Sequence, residues 1–213
     1  MPDGVLLVEG PSDKIYFSAL LKRLNPSTLF IEIMGCGSKD EVVKRYRLMT
    51  RQFPFVGSVV AVVDGGAKTE YEELARLSRH RKYDHVCRLS VNEIEDVFPL
   101  QVHTRVLQRY YGGDNPVVLE IDDRKPSVVS AIKKLLWERN RQEFNKVPYA
   151  RQLVSLLETD HEFPEELAKI GRMCLKLGHL KIAEVPGSRS ALSLDPMSRR
   201  LWQGLQDVPL REA

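Results

Sequence analysis

Long apolar runs are absent from this chain of 213 residues. No stretch approaches the roughly 20 apolar residues that a membrane-spanning helix requires. No signal peptide is recognisable either. Both absences argue against a secreted or membrane-spanning protein, and we expect a cytoplasmic one.

Cysteine is also scarce. Cys36, Cys87 and Cys174 are odd in number and far apart, and neither they nor the five histidines show metal-ligand spacing. We interpret the cysteines as buried or free thiols of a reduced compartment. A G-x-x-x-x-G-K-[ST] motif is missing as well, so the sequence carries no P-loop.

The composition that remains is that of a soluble globular protein, with 43% hydrophobic and 29% charged residues. The net charge of +3 is small but unevenly distributed, because residues 124–151 hold eight basic and two acidic side chains. Such a segment is either a nucleic-acid footprint or one solvated face of a helix. The charge alone leaves both interpretations open.

Short apolar runs alternate with segments of helical periodicity in the first half of the chain. The runs at 5–8, 29–34, 58–63 and 85–89 are typical of strands, and helices are predicted from Ser12, over 40–52 and from Thr69 to about 80. This alternation predicts an α/β fold with a mostly parallel sheet that helices cover on both faces.

The pattern changes after Phe98. A short strand is predicted at 116–121 and helices at 127–144, 147–157 and 165–177, followed by about 25 residues without regular structure. We therefore expect a core over residues 1–112 and a mainly helical subdomain over 113–213. Trp137 and Trp202 are expected in the hydrophobic core.

Acidic side chains follow three of the four predicted strands. They are Glu9 and Asp13 after the first strand, Asp64 after the third, and Glu93, Glu95 and Asp96 after the fourth. Ligands of parallel α/β sheets bind beyond the carboxyl ends of the strands. A set of oxygen ligands without nearby His or Cys suits Mg²⁺ or Mn²⁺ rather than zinc.

Four segments carry a resemblance to a known family. VLLVEGPSDKIYFSALL resembles the first motif of TOPRIM domains, the metal-binding module of topoisomerases, primases and some nucleases, and VVAVVDGG resembles the second motif. NEIEDVF and NKVPYA resemble the later acidic and lysine motifs of OLD (overcoming lysogenization defect) nucleases. The similarity covers roughly residues 5–157 and implies a Rossmann-like TOPRIM core with an appended helical subdomain.

The resemblance also implies roles for single residues. Glu9 would be a metal ligand or general base, Asp13 and Glu95 would be further ligands, and Asp64 would be the central ligand. Lys146 would stabilise negative charge on the scissile phosphate. Glu95 matches the family pattern better than Glu93, because the pattern places an aromatic residue three positions later, where Phe98 stands.

One position departs from the family pattern. The second motif usually reads Asp-x-Asp, and here Gly66 stands at the second acidic position. The change removes one possible ligand, although a water or a backbone carbonyl could replace it, because Mg²⁺ keeps several waters. The site could therefore hold one ion or two.

The function implied by the resemblance is metal-dependent DNA cleavage by an endonuclease or nickase with two Mg²⁺ or Mn²⁺ ions. The chain would be the C-terminal nuclease part of an OLD protein, separate from its N-terminal ATPase domain, and a homodimer is possible. The alternatives are a non-catalytic TOPRIM module that binds DNA or a protein partner, a topoisomerase TOPRIM, and a TOPRIM RNA-processing nuclease. These residues do not decide between DNA and RNA.

Overall fold

The computed structural model describes residues 2–24, 29–52, 57–112, 116–121, 127–157 and 163–184. The strands are β1 (Gly4–Val8), β2 (Ile31–Gly35), β3 (Ser58–Val63) and β4 (His85–Arg88). The helices are α1 (Pro11–Leu24), α2 (Lys39–Gln52), α3 (Lys68–Ser78), α4 (Leu100–Tyr111), α5 (Val128–Asn140), α6 (Lys146–Leu156) and α7 (Glu165–Glu184), and a 3₁₀ turn at Ile94–Val97 precedes α4.

The four strands form one parallel sheet in the order β2-β1-β3-β4. The central strands β1 and β3 are buried along their whole length, as expected for strands that helices cover on both faces. Because all four strands run in the same direction, the residues that follow β1 and β3 emerge at the same edge. The predicted α/β fold with a parallel sheet is confirmed.

Alternate residues of the central strands pack into two hydrophobic cores. Leu6 and Val60 face a core with α1 and the helices from α4 onward, whereas Leu7 and Ala61 face a core with α2 and α3. The first core joins strands of the predicted TOPRIM part to helices of the predicted helical part. The division at residue 112 stays a prediction.

The predicted strand at 116–121 is wrong, since this segment has no regular secondary structure. Val117 and Leu119 are buried and Val118 is exposed, so the alternation that resembled a strand is real. It arises because one side of the segment packs on the helical core. The backbone N–H of Val117 donates to the side-chain oxygen of Gln108 rather than to a strand.

The boundaries of several helices also differ from the prediction, and two of these differences have a local cause. Thr69 does not cap α3, because the helix already begins at Lys68 after Ala67. Helix α5 ends at Asn140 rather than at 144, because Arg141 adopts a left-handed conformation (φ 52°) that no helix can continue.

The prediction that Trp137 belongs to the core is also wrong, since its side chain is 52% exposed on α5. Trp202 and the predicted irregular end of the chain lie outside the described residues. None of the described helices combines the length and the apolar character that a membrane crossing requires.

Candidate active site

A cleft of about 210 Å³ opens at the carboxyl edge of the sheet, beyond β1 and β3. Its lining consists of Glu9, Gly10, Pro11, Ser12, Asp13, Gly37, Asp64, Lys146 and Val147. Glu9, Asp13, Asp64 and Lys146, which are up to 137 positions apart in the sequence, thus share one cavity. The fifth predicted site residue, Glu95, does not line it.

Glu9 and Asp64 are neighbours because they follow adjacent parallel strands. The backbone N–H of Asp64 donates to Glu9 Oε1 at 2.8 Å, which fixes the glutamate against the end of β3. Both side chains are half-buried. The two carboxylates are therefore held by the sheet itself rather than by a mobile loop.

Asp13 lies one turn into α1 and also has a structural role. Its Oδ2 accepts a hydrogen bond from the backbone N–H of Gly10 at 2.8 Å, and its Oδ1 accepts one from the Ser12 hydroxyl at 3.3 Å. The first of these is half of a capping box, and Pro11 occupies the first helical position, where its missing N–H costs nothing. The same bonds that start the helix fix the carboxylate on the wall of the cleft.

The negative charges of the carboxylates in this cleft repel one another. Burial and the charges of Glu9 and Asp13 together raise the pKa of Asp64 to about 8, and Lys146 opposes the shift. Burial also raises the pKa values of Glu9 and Asp13. A bound cation would favour all three ionised forms, so the charge balance of the cleft is that of a cation site.

Lys146 begins α6, where the side chain of Asn145 caps the helix by accepting from the N–H of Val147. Its Nζ forms an ion pair with Glu93 and a second with Glu95 Oε2 at 3.7 Å. Burial lowers the pKa of Lys146, but the charges of Glu95 and Glu93 outweigh it and raise that pKa overall. The lysine is therefore a permanent cation.

Glu95 is fully buried beneath this lysine. Among the described residues, neither of its carboxylate oxygens has a hydrogen-bond partner, so the ion pair with Lys146 is its main compensation. Burial raises its pKa to about 7, and Lys146 opposes the shift. Glu93, which the sequence comparison ranked second, makes the closer contact with the lysine.

Two residues without a predicted role connect the turn that carries Glu95 to the helix that carries Lys146. His103 on α4 contacts the Tyr149 hydroxyl through Nδ1 at 2.7 Å and the backbone carbonyl of Glu95 through Nε2 at 3.0 Å. Nε2 must donate to the carbonyl, so Nδ1 accepts from Tyr149. Burial lowers the pKa of His103 to about 4, which keeps the ring neutral.

The His103 bridge connects the turn of Glu95 to the helix of Lys146, because Tyr149 lies one turn after Lys146 on α6. A sequence signal for it exists. His103 stands on the apolar face of α4, beside Val102 and Val106, where an imidazole needs a buried hydrogen-bond partner.

The donor set can be tested against a divalent metal ion. Across the described residues, no three His, Cys, Asp or Glu side chains converge into a preformed ligand cage. Mg²⁺ does not need one, since it keeps several waters and is usually bound through one or two carboxylates. Glu9 and Asp64 fit such a hydrated ion, with Asp13 beside them.

The first third of the chain is similar to a known family. Residues 2–65 match the family model described as "Overcoming lysogenization defect protein-like, TOPRIM domain". This part of the chain is therefore similar to an OLD-like TOPRIM domain. The match includes Glu9, Asp13 and Asp64, and TOPRIM domains generally bind divalent metals.

The fold of the chain, including helices that follow the matched residues, is similar to that of solved OLD structures. The C-terminal region of the Xanthomonas campestris pv. campestris OLD protein is similar with a TM-score of 0.59 and 13% identity, over 85% of this chain and 96% of that chain. The C-terminal region of the Burkholderia pseudomallei OLD protein is similar with a TM-score of 0.55 and 13% identity, over 84% and 99%. No curated protein matches the sequence.

Proposed function

We propose that this chain is a metal-dependent DNA endonuclease or nickase that hydrolyses phosphodiester bonds. The observation that carries the proposal is the cleft at the carboxyl edge of the sheet. Its walls bring three carboxylates together with one lysine, namely Glu9, Asp13, Asp64 and Lys146. Acids that favour a bound cation and a lysine that stays charged can both stabilise the negative charge that develops in phosphodiester hydrolysis.

Glu9 and Asp64, assisted by Asp13, would hold Mg²⁺ or Mn²⁺. The bound metal would supply activation of water and stabilisation of the charge on the leaving oxygen. Because Glu9 Oε1 already accepts from the N–H of Asp64, we expect Oε2 to act as the ligand or base. Two ions, which the family resemblance implies, stay a prediction.

Lys146 would bind a non-bridging oxygen of the scissile phosphate. Glu93 and Glu95 keep its ammonium group oriented before substrate arrives, so little reorganisation is needed when negative charge develops on the phosphate. Glu95 then acts as a buried support for the lysine rather than as a ligand. This differs from the role that the family resemblance implies for Glu95.

We further propose that the chain acts with an N-terminal ATPase domain, since the similar structures are described as C-terminal regions of OLD proteins. A homodimer and a cytoplasmic location also stay predictions.

A non-catalytic module that binds DNA is the second candidate. Gly66 in place of an acid, and the lack of a preformed three-ligand cage among the described residues, favour it. The third candidate, an RNA-processing nuclease, would use the same cleft on a different substrate.

The test is cleavage of supercoiled plasmid and of a matched RNA in Mg²⁺, Mn²⁺ or EDTA. Asp64→Asn and Lys146→Met remove one charge each from the cleft. Their matched controls are Glu72→Gln and Lys169→Met, which remove the same charges from exposed positions of α3 and α7. We expect metal-dependent nicking that each cleft variant reduces by about 10²–10³-fold and that neither control changes.

Three outcomes would change the conclusion. Metal-dependent nicking that both cleft variants retain would refute the site. Absence of cleavage with every metal, together with DNA binding, would favour the binding module. Cleavage of the RNA alone would favour the RNA-processing enzyme.

A further inference from the structure

Helix α5 presents a basic surface around an exposed aromatic ring. Trp137 is 52% exposed, although leaving the apolar surface of an indole in water is unfavourable. The residues that share its side of the helix are exposed and polar. We call Ser130, Lys133, Lys134, Trp137 and Arg141 the α5 stripe.

The stripe follows from helix geometry. Lys133 and Lys134 stand four and three positions before Trp137, and residues at this spacing share one face of a helix. The opposite face, with Ile132 and Leu136, is buried in the core. In the part of the chain that the structure describes, neither Lys133 nor Lys134 forms an ion pair within 4 Å, although Glu138 stands one turn after Lys134 and lines the same pocket.

Arg141 closes the stripe at a conformational cost. Its left-handed backbone ends α5 in a Schellman motif, in which the N–H of Arg141 donates to the carbonyl of Trp137 and that of Gln142 to Leu136. Glycine is the favoured residue at such a position. The arginine instead places its guanidinium 5.7 Å from the centre of the Trp137 ring.

The stripe is continuous with the active site along the chain. At the start of α5, the N–H of Val129 and the hydroxyl of Ser127 donate to Asp96, the neighbour of Glu95. At its end, five residues lead to Lys146. Five residue steps from Arg141 to Lys146 span at most about 18 Å, so the Arg141 end of the stripe lies within a few nucleotides of a phosphate bound at Lys146.

We propose that the α5 stripe binds a single-stranded segment of the nucleic-acid substrate next to the cut. Lys133, Lys134 and Arg141 contact phosphates, and Trp137 stacks on an unpaired base. These three cations have no ion-pair partner among the described residues and complement a polyanion, and an aromatic ring among cations is a combination that binds single strands. The proposal rests on the proposed function, because it assigns the substrate of the same site.

Binding can be measured without catalysis, by fluorescence anisotropy of a labelled 20-nucleotide single strand and of the matching duplex in EDTA. Lys133→Ala/Lys134→Ala removes two cations of the stripe. Lys169→Ala/Lys176→Ala removes two exposed cations of α7 and is the control. We expect the first pair to weaken binding roughly tenfold and to lower the salt slope for the single strand by about 1.4, and the control to change neither.

The aromatic contact has its own test. Trp137→Ala is expected to weaken single-strand binding at least about fivefold, Trp137→Phe to restore most of it, and duplex binding to change little. Arg141→Gly separates binding from folding, because glycine suits the left-handed position. It should weaken binding several-fold while the melting temperature stays at or above that of the wild type.

The proposal is overturned if the stripe pair behaves like the α7 pair, or if Trp137→Ala leaves single-strand affinity unchanged. It is also overturned if Trp137→Ala dissociates a dimer in light scattering without changing affinity, since a second copy would then cover the ring. Because EDTA prevents metal-dependent cleavage, a chain that binds through the stripe but never cleaves would refute the proposed function and leave this proposal intact.

Discussion

The two sides of the cleft balance their charges in opposite ways. The acidic side, which consists of Glu9, Asp13 and Asp64, has three carboxylates with raised pKa values. The lysine side, which consists of Glu93, Glu95, His103, Lys146 and Tyr149, pairs its one cation with two acids and braces them with a neutral histidine.

The difference indicates what each side requires. The lysine side is complete without a ligand, because its buried charge has a partner within the chain. The acidic side is not, since Asp64, with a pKa of about 8, becomes fully ionised near neutral pH only if a cation joins the cleft. Breaking the lysine side should therefore cost stability, whereas changing the acidic side should alter metal binding and pH dependence.

The largest effect is expected at the Lys146–Glu95 pair. Lys146→Met leaves Glu95 buried without its cation. We expect the free energy of unfolding to fall by about 3 kcal/mol, which is at the lower end for buried pairs because the lysine is partly exposed. Glu95→Gln in the same chain should restore most of that stability without restoring cleavage. Urea unfolding at about pH 8 measures the first quantity and the plasmid assay the second.

A double variant as unstable as Lys146→Met would show that Glu95 does not depend on the lysine.

The histidine brace should come next. His103→Leu removes both of its hydrogen bonds and leaves the Tyr149 hydroxyl and a buried carbonyl unpaired. We expect this to lower the free energy of unfolding by about 2 kcal/mol. His103→Gln, which can still donate and accept, should lose less. The control is His80→Gln at an exposed position, measured in the same unfolding experiment. Equal stability of His103→Leu and the wild type would exclude the brace.

The glycines after Asp64 should differ from each other. A Cβ on Gly65 would lie 2.7 Å from the carbonyl oxygen of Val91, whereas a Cβ on Gly66 would meet only the side chain of Asn92, at 3.3 Å. Gly65→Ala should therefore destabilise the fold by about 2 kcal/mol, and Gly66→Ala should be close to neutral.

Gly66→Asp uses that space to add the missing acid. We expect about tenfold tighter Mn²⁺ binding by calorimetry, because an added carboxylate raises the ligand charge. Unchanged affinity would mean that position 66 does not face the ion.

The smallest expected effect is a pH dependence. The pKa of Asp64 is about 8 in the fold and about 3.9 in an unfolded chain. Its protonated form therefore contributes stability that is complete below about pH 4 and is lost as the pH rises through 8. Because Asp64 is only half-buried, solvent screens most of this effect, and between about pH 5 and pH 8 in EDTA the wild-type melting temperature should fall about 2–4 °C more than that of Asp64→Asn. Parallel curves would contradict the assignment.

The sequence predicts the acidic side better than the lysine side for a physical reason. Glu9 and Asp64 directly follow buried strands, so strand pattern and parallel pairing suffice to bring them together. The contact of Lys146 with Glu93 and Glu95 depends on how α6 packs, and no local pattern contains that information. The sequence therefore could not show that Glu95 lies buried beneath the lysine, or that Glu93 makes the closer contact with it.

The errors in the fold have a similar origin. Val117 and Leu119 are buried as alternate residues of a strand would be, but the sequence of 116–121 does not show whether the segment has a strand partner. The apolar spacing of Trp137 predicted a core position, but the rotation of α5 that exposes the ring depends on which apolar face of the helix packs. Arg141 ends α5 where no glycine marks the stop.

The most direct test of the central claim is a crystal structure of the protein soaked in Mn²⁺, with anomalous data collected at the manganese edge. The account predicts a peak about 2.2 Å from carboxylate oxygens of Asp64 and Glu9, and no peak there in Asp64→Asn crystals soaked in the same way. Wild-type crystals without manganese beside Asp64 would contradict the account.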